Sequence, residues 1–355
     1  MNKDFDIKII SMEDIVKSGC VNIDEVIAVI ENVLVDYKNG KVMLPDKISQ
    51  IFDEKTQNRI NCMPATLFDE GVCGVKWVSV FPTNPHKFAA PNVSGTIILS
   101  EIEKGFPFAI MDGTLITALR TACMGAIGAK YLAKKNSHVY GTIGTGEQAK
   151  AHFIIMKHIF PQIDVCYVAS RTKESENSYI NIMKKQYPDV DFINCNGDYD
   201  RAAENADIIV TAVSCQEPLL KGAAIKKGAF YCHVGGWEDE YTVPDKASKI
   251  VCDNWDALKH RGSPTIAKMY KEGLLKDKDI YANLCDLIDN SKPGRENNDE
   301  FTYFNAIGLA YVDVAVAYNF YKKVIKKENG KNFILQTQDT IGSIFEGIQN
   351  SKRNI

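Results

Sequence analysis

The sequence predicts an α/β protein: a doubly wound parallel sheet in the larger, later part of the chain, with a second α+β domain before it. Two observations carry most of this. After Lys135, six short β-branched runs, at 139–144, 165–168, 190–193, 207–212, 230–234 and 249–252, alternate with helical patterns. They are almost continuously apolar, as strands must be when helices cover both faces of a parallel sheet. The first run ends in Gly141-Thr142-Ile143-Gly144-Thr145-Gly146-Glu147-Gln148-Ala149, a glycine-rich turn that opens directly into a helix. The length, 355 residues, accommodates two domains at roughly 150 residues each.

Earlier in the chain, Val21-Asn22-Ile23-Asp24 opens a helical pattern in which Val26, Ile27, Val29, Ile30, Val33 and Leu34 crowd one side. Short β-type runs follow at 59–63, 72–80 and 95–100, with the turn-rich Pro82-Thr83-Asn84-Pro85-His86 between the last two. From 114 to 135 the composition shifts to Ala, Leu, Gly and Ile, as in a well-packed helix connecting two domains. A second Ala/Val-rich helix, 307–317, can carry the chain back to the first domain. The stretch 290–298 reads as a polar loop, and no internal repeat is visible.

Composition narrows the functional classes. With 45% apolar and 25% charged residues and a net charge of −3, the chain reads as an ordinary globular protein. Charges of both signs are mixed and no basic block occurs, which argues against nucleic acid as the main partner. No uncharged apolar run reaches the roughly 18 to 20 residues that span a bilayer. The start, Met1-Asn2-Lys3-Asp4-Phe5-Asp6, is acidic where a secretory signal is basic and then apolar. Ten cysteines are scattered singly, with no C-x-x-C pair and no zinc spacing. Reduced, mostly buried thiols in a cytoplasmic protein, and no metal site, are expected. His233, at a strand end, and His260 read as structural.

Three clusters carry chemistry. Gly144 and Gly146 permit a tight turn and close approach of backbone to a pyrophosphate, which the following helix N-terminus favours electrostatically. The third fingerprint position is Ala149, which the dinucleotide pattern tolerates. The next strand ends in Ser170-Arg171-Thr172, where NAD enzymes place an acid for the ribose 2′-hydroxyl; a cation suits a 2′-phosphate. NADP(H) is therefore the expected cofactor, with NAD(H) the second option and an exposed loop arginine the bland reading. Finally, Lys76 sits in an apolar strand and Arg120 on an Ala/Leu helix. Such cations need an anionic partner, either a substrate carboxylate or an internal ion pair.

The segment 76–133, with Gly105-Phe106-Pro107, Thr117-Ala118-Leu119-Arg120-Thr121-Ala122 and Ala129-Lys130-Tyr131-Leu132-Ala133, resembles the ornithine cyclodeaminase/μ-crystallin family. The similarity runs on through Gly144 to Ala149, Ala206-Asp207-Ile208-Ile209-Val210-Thr211-Ala212, Val234-Gly235-Gly236 and Phe304-Asn305-Ala306-Ile307-Gly308-Leu309-Ala310. The resemblance implies a Rossmann-type domain at 126–310 and a substrate-binding and dimerisation domain at 1–125, to which 311–355 returns. It implies a homodimer that acts on a small amino or imino acid. Lys76 and Arg120 match carboxylate-binding cations, with Lys76 also in the catalytic set, and Lys47 lies near the position of a further arginine. Asn92 matches a cofactor-contacting threonine, and Glu147 and Gln148 the pyrophosphate turn. Ser170, Arg171, Thr172, Val213, Val234, Gly235, Gly236 and Ala306 complete the cofactor set, and Ile307 touches substrate.

One departure stands out. Cyclodeaminases resemble Gly-Gly-Asp-Cys-Pro-Gly-Lys after the strand, whereas this chain has Gly235-Gly236-Trp237-Glu238-Asp239-Glu240-Tyr241. Asp239, then Glu238, is the expected acid/base, a solvated acidic loop being the alternative. The leading expectation is an ornithine cyclodeaminase-like lyase. The alternatives are an NADPH-dependent ketimine reductase or amino-acid dehydrogenase, and a non-catalytic NADPH-binding protein of μ-crystallin type.

Overall fold

The computed structural model describes residues 5–215 and 217–336. Residues 1–4 and 337–355, which the reading of the chain start and of the returning C-terminal segment include, lie outside the described residues. Two compact units are present: the described parts of 1–22, 41–116 and 313–355 form one, and 23–40 with 117–312 form the other. Helix Ile23–Lys38 thus groups with the later unit, not with the first 125 residues. The reason is local: Lys38 Nζ pairs with Asp286 at 2.8 Å and Asp289 at 2.6 Å, and Tyr37 stacks on Tyr311 with ring centroids 4.9 Å apart.

The first unit contributes β1 (Phe5–Ile10), β2 (Val42–Met43), β3 (Ile48–Asp53), β4 (Asn58–Leu67), β5 (Val72–Val80), β6 (Val93–Glu101) and β7 (Pro107–Asp112). The second contributes β8 (Val139–Ile143), β9 (Val165–Ala169), β10 (Asp191–Asn194), β11 (Ile208–Thr211), β12 (Phe230–His233), β13 (Lys249–Cys252), β14 (Ala282–Asn283) and β15 (Thr302–Asn305). The last described strand, β16 (Lys331–Gln336), belongs to the first unit.

The first unit's sheet runs β16-β1-β7-β6-β5-β4-β2, with β3 also on β4. Its pairings are antiparallel except β1 with β7. Along β5 burial alternates, with Val72, Gly74, Lys76 and Val78 on the buried face. Helix Ala310–Lys326, from Asp313 onward part of this unit, lies against that face. A Cβ at Gly74 would meet Val314 Cγ2 at 2.8 Å, so only glycine admits the helix there.

The second unit's sheet runs β10-β9-β8-β11-β12-β15-β13-β14, every pairing parallel. All six runs expected as strands are strands. β11, β12, β13 and β15 are buried at every position, which is why those runs lack polar alternation. β15 was not expected as a strand; it slots between β12 and β13. The connecting helix spans Thr114–Leu132, and the later one begins at Ala310, leaving 307–309 as loop. All ten cysteines are unpaired. Among the described residues, no helix is long and apolar enough to cross a membrane.

Candidate active site

The sheet order reverses between β8 and β11, so their C-terminal ends open the crevice where doubly wound folds bind ligands. Gly144 sits there at φ +114°, and a Cβ on it would lie 2.6 Å from the Ala212 carbonyl oxygen. Glycine is required twice over, by the dihedral and by the approach of the two strand ends. Gly144 N–H donates to the Ala169 carbonyl at 2.8 Å, and the Thr142 hydroxyl to the Gly144 carbonyl at 3.0 Å. Gly146 caps helix Glu147–Ile159, and a Cβ on it would meet nothing within 4 Å. That open cradle before a helix N-terminus fits a dinucleotide pyrophosphate. Glu147 is exposed and paired with Lys150, and the half-buried Gln148 has a side-chain oxygen with no hydrogen-bond partner. Behind the turn, His152 is buried, which lowers its pKa from 6.5 to about 4, with the Arg120 charge adding to the effect. It stays neutral at neutral pH.

At the end of β9, Ser170 is buried while Arg171 and Thr172 are exposed. Thr172 caps helix Lys173–Gln186, its hydroxyl oxygen accepting from Ser175 N–H.

The two acids expected to move protons are wholly buried. Glu238 accepts hydrogen bonds from the N–H groups of Val213 (2.7 Å), Gly235 (2.8 Å) and Val234 (3.1 Å) and from the Thr211 hydroxyl (2.7 Å). It ties the loop after β11 to the loop after β12. A Cβ at Gly235 would collide with Glu238, and would stand 2.6 Å from the Val213 carbonyl oxygen. Asp239 accepts from His233 Nδ1–H and from the Thr265 hydroxyl, both at 2.7 Å. Burial works against the charged form of His233, but Asp239, followed by Glu238, outweighs it and raises the pKa from 6.5 to about 8. Gly236 lies beside Ser263, 3.6 Å from a would-be Cβ, and Trp237 stacks under Lys268 at 4.3 Å.

The loop after β15 is held by an acid that sequence reasoning passed over. Asp253 Oδ2 accepts from Ile307 N–H at 2.9 Å and Gly308 N–H at 3.1 Å, while Ala306 N–H donates to the His233 carbonyl at 3.2 Å. Burial raises the Asp253 pKa to about 6, those N–H donors opposing the rise. Gly308 has φ +78°, and a Cβ there would lie 2.8 Å from Arg120 Nη1. The structure therefore brings Arg120 and the loop of Ala306 and Ile307 together. The clue in the sequence was Asp253-Asn254 directly after a buried strand.

In the first unit, Lys76 Nζ lies 2.6 Å from Asp313 Oδ2, with both side chains buried. The internal ion pair weighed for Lys76 exists. Lys47 immediately precedes β3, whose first residue, Ile48, pairs with Cys62, itself paired with Trp77, the neighbour of Lys76. Asn92 receives Phe81 N–H on its carbonyl at 2.7 Å, and its buried side-chain oxygen has no hydrogen-bond partner.

A parallel sheet with this order and this glycine turn defines a dinucleotide-binding protein of the Rossmann type. The chain belongs to the ornithine cyclodeaminase/mu-crystallin family, whose model matches residues 8–328. It is 32% identical over 326 residues to alanine dehydrogenase of Archaeoglobus fulgidus, covering 91% of this chain and 96% of that one. Its fold is similar to that of Thermococcus litoralis Delta(1)-pyrroline-2-carboxylate reductase in complex with NADH and L-proline. That match has a TM-score of 0.86 at 30% identity and covers 92% and 100% of the two chains. It is also similar to an archaeal alanine dehydrogenase dimer with bound NAD, with a TM-score of 0.83 at 30% identity over 93% and 99% of the chains.

Proposed function

We propose that this protein is a nicotinamide-dependent oxidoreductase that interconverts a small α-imino acid and the corresponding L-amino acid. The observation that carries the reading is the intact Gly144–Gly146 turn in a chain similar over nine-tenths of its length to an alanine dehydrogenase and a pyrroline-2-carboxylate reductase. This moves the reductase or dehydrogenase ahead of the cyclodeaminase. Cyclodeamination needs a base for a second amine, and the two acids offered for it are wholly buried: both Glu238 oxygens accept internal hydrogen bonds, and Asp239 accepts from His233 and Thr265 on Oδ1 while its Oδ2 is buried without a partner. Both act as positioning residues for the 234–237 loop.

A bound nicotinamide supplies or accepts hydride at the substrate α-carbon. The N-terminus at Gly146, Glu147 and Gln148 receives the pyrophosphate. In the second unit, Val213, Val234, Gly235, Gly236 and Ala306 would hold the nicotinamide half of the cofactor; in the first, Asn92 is a candidate cofactor contact. In the second unit, Arg120 offers a planar fork for a carboxylate beside Ile307; in the first, Lys76 and Lys47 are the candidate carboxylate-binding cations. Lys76 holds a proton at Nζ against Asp313.

Arg171, exposed at the β9 end, supports a preference for NADP(H), although the relatives named above hold NAD or NADH. A homodimer is supported by the apolar outer face of the first unit's sheet, where Ile48 is 61% and Trp77 46% exposed. Ten unpaired cysteines support a cytoplasmic location. The test is a screen of cyclic and linear imino acids with NADPH and NADH, and of L-amino acids with the oxidised forms. Tight NADPH binding with no turnover of any of them would instead favour a binding protein.

A further inference from the structure

We propose that Glu176 is a positioning residue that sets the choice between a 2′-phosphorylated and a 2′-hydroxyl dinucleotide; this rests on the NADP(H) reading above. Glu176 lies in the first turn of helix Lys173–Gln186 and has no solvent exposure. Its Oε1 accepts from Ser170 N–H and Gly197 N–H, each at 2.8 Å, and its Oε2 from Asn196 N–H at 2.9 Å. Three backbone donors from two strand ends converge on one carboxylate. Two of them belong to consecutive left-handed residues after β10, Asn196 at φ +55° and Gly197 at φ +81°. Successive N–H groups in such a turn form an anion-binding concavity, which Glu176 fills, with Asn196 N–H also donating to the Asn194 side-chain oxygen at 2.8 Å.

The consequence concerns the ribose. In NAD-binding doubly wound folds, a carboxylate at the end of the second strand accepts from the ribose 2′-hydroxyl. Here the carboxylate reaches the same strand end from the helix side and is spent on the backbone. Both its oxygens are engaged, so it offers little to a ribose diol. At the same time it fixes Ser170 N–H, and so the point from which Arg171 and Thr172 leave the sheet.

Glu176→Gln tests this, because one acceptor oxygen becomes an NH2 facing an N–H donor. Glu176→Asp keeps the charge but draws it back from the three donors. The readout is the ratio of NADPH to NADH affinity, by fluorescence titration of the purified full chain. In both variants that ratio falls roughly tenfold through loss of NADPH affinity, with NADH binding changed less than about twofold. A ratio unchanged in folded variants, or equal loss of both cofactors, overturns the role. A wild-type ratio near one overturns the cofactor reading itself, which is a separate result. If neither variant folds, amide exchange on the wild type decides. Slowing at Ser170, Asn196 and Gly197 by 2′,5′-ADP but not by 5′-AMP supports the role, and equal or no slowing overturns it.

Discussion

Replacing Lys76 by methionine removes the cation from a pair in which neither side chain meets solvent. The two charges stand 2.6 Å apart, an attraction of about 6 kcal/mol at an effective dielectric near 20. Burying the ions takes back several kcal/mol for each, so the intact pair adds little net stability. Removing only one partner is different, because the buried Asp313 carboxylate loses the cation that stands against it. Lys76→Met should therefore cost about 3–5 kcal/mol in urea unfolding followed by circular dichroism. The double variant Lys76→Met/Asp313→Leu should recover most of that loss. A single variant within about 1 kcal/mol of wild type would refute the argument. The double variant also separates two roles: stable but without turnover means that Lys76 serves the substrate carboxylate as well as Asp313.

Three further outcomes are expected. Arg120→Ala should weaken substrate binding by about 1.5–3 kcal/mol, read as KM, with cofactor affinity unchanged; normal turnover would make Arg120 a purely structural partner. Gly144→Ala forces a left-handed dihedral and a clash with Ala212, so thermal melting should show a loss of about 1–3 kcal/mol together with loss of dinucleotide binding. The His233 pKa is raised on folding, so its contribution is fully present below pH 6.5 and is lost as pH rises through about 8. Unfolding free energies from urea titrations should fall across that window by up to about 2 kcal/mol in the wild type, and stay flat across it in His233→Gln.

Legibility followed burial geometry. β8, β9 and β11 to β13 were readable because a strand covered on both faces leaves an unbroken apolar run; β10, at the sheet edge with Asp191 exposed, showed only through Phe192 and Ile193. β3 was not, since all six of its residues are exposed and its pattern Ile48-Ser49-Gln50-Ile51-Phe52-Asp53 has no buried face to report. β15 is only four residues after a polar loop, too short for a period to show. The glycine turn was legible because Gly144 answers to a local dihedral and its strand and helix flank it in sequence. Glu238 and Asp239 were legible as acids but not as buried ones. Glu238 is met by three backbone N–H groups and the Thr211 hydroxyl, and Asp239 by His233 and the Thr265 hydroxyl; the backbone donors leave no side-chain pattern, and Thr211 and Thr265 lie 27 and 26 positions away from the acids they serve. Lys76 and Asp313 each stood alone in an apolar segment. Two isolated opposite charges were the signal for their pairing, across 237 positions of sequence.

The central claim is net redox chemistry on an imino or amino acid, and cofactor stoichiometry tests it most directly. Pyruvate with ammonia, and Δ1-pyrroline-2-carboxylate, are each incubated with the enzyme and a measured amount of NADPH or NADH, and the amino acid formed is counted against cofactor oxidised. The account predicts one reduced cofactor consumed per amino acid formed with at least one of them, and no ammonia from ornithine with a trace of oxidised cofactor. Ammonia and proline released from ornithine in large excess over the cofactor, with no lasting absorbance change, would contradict it.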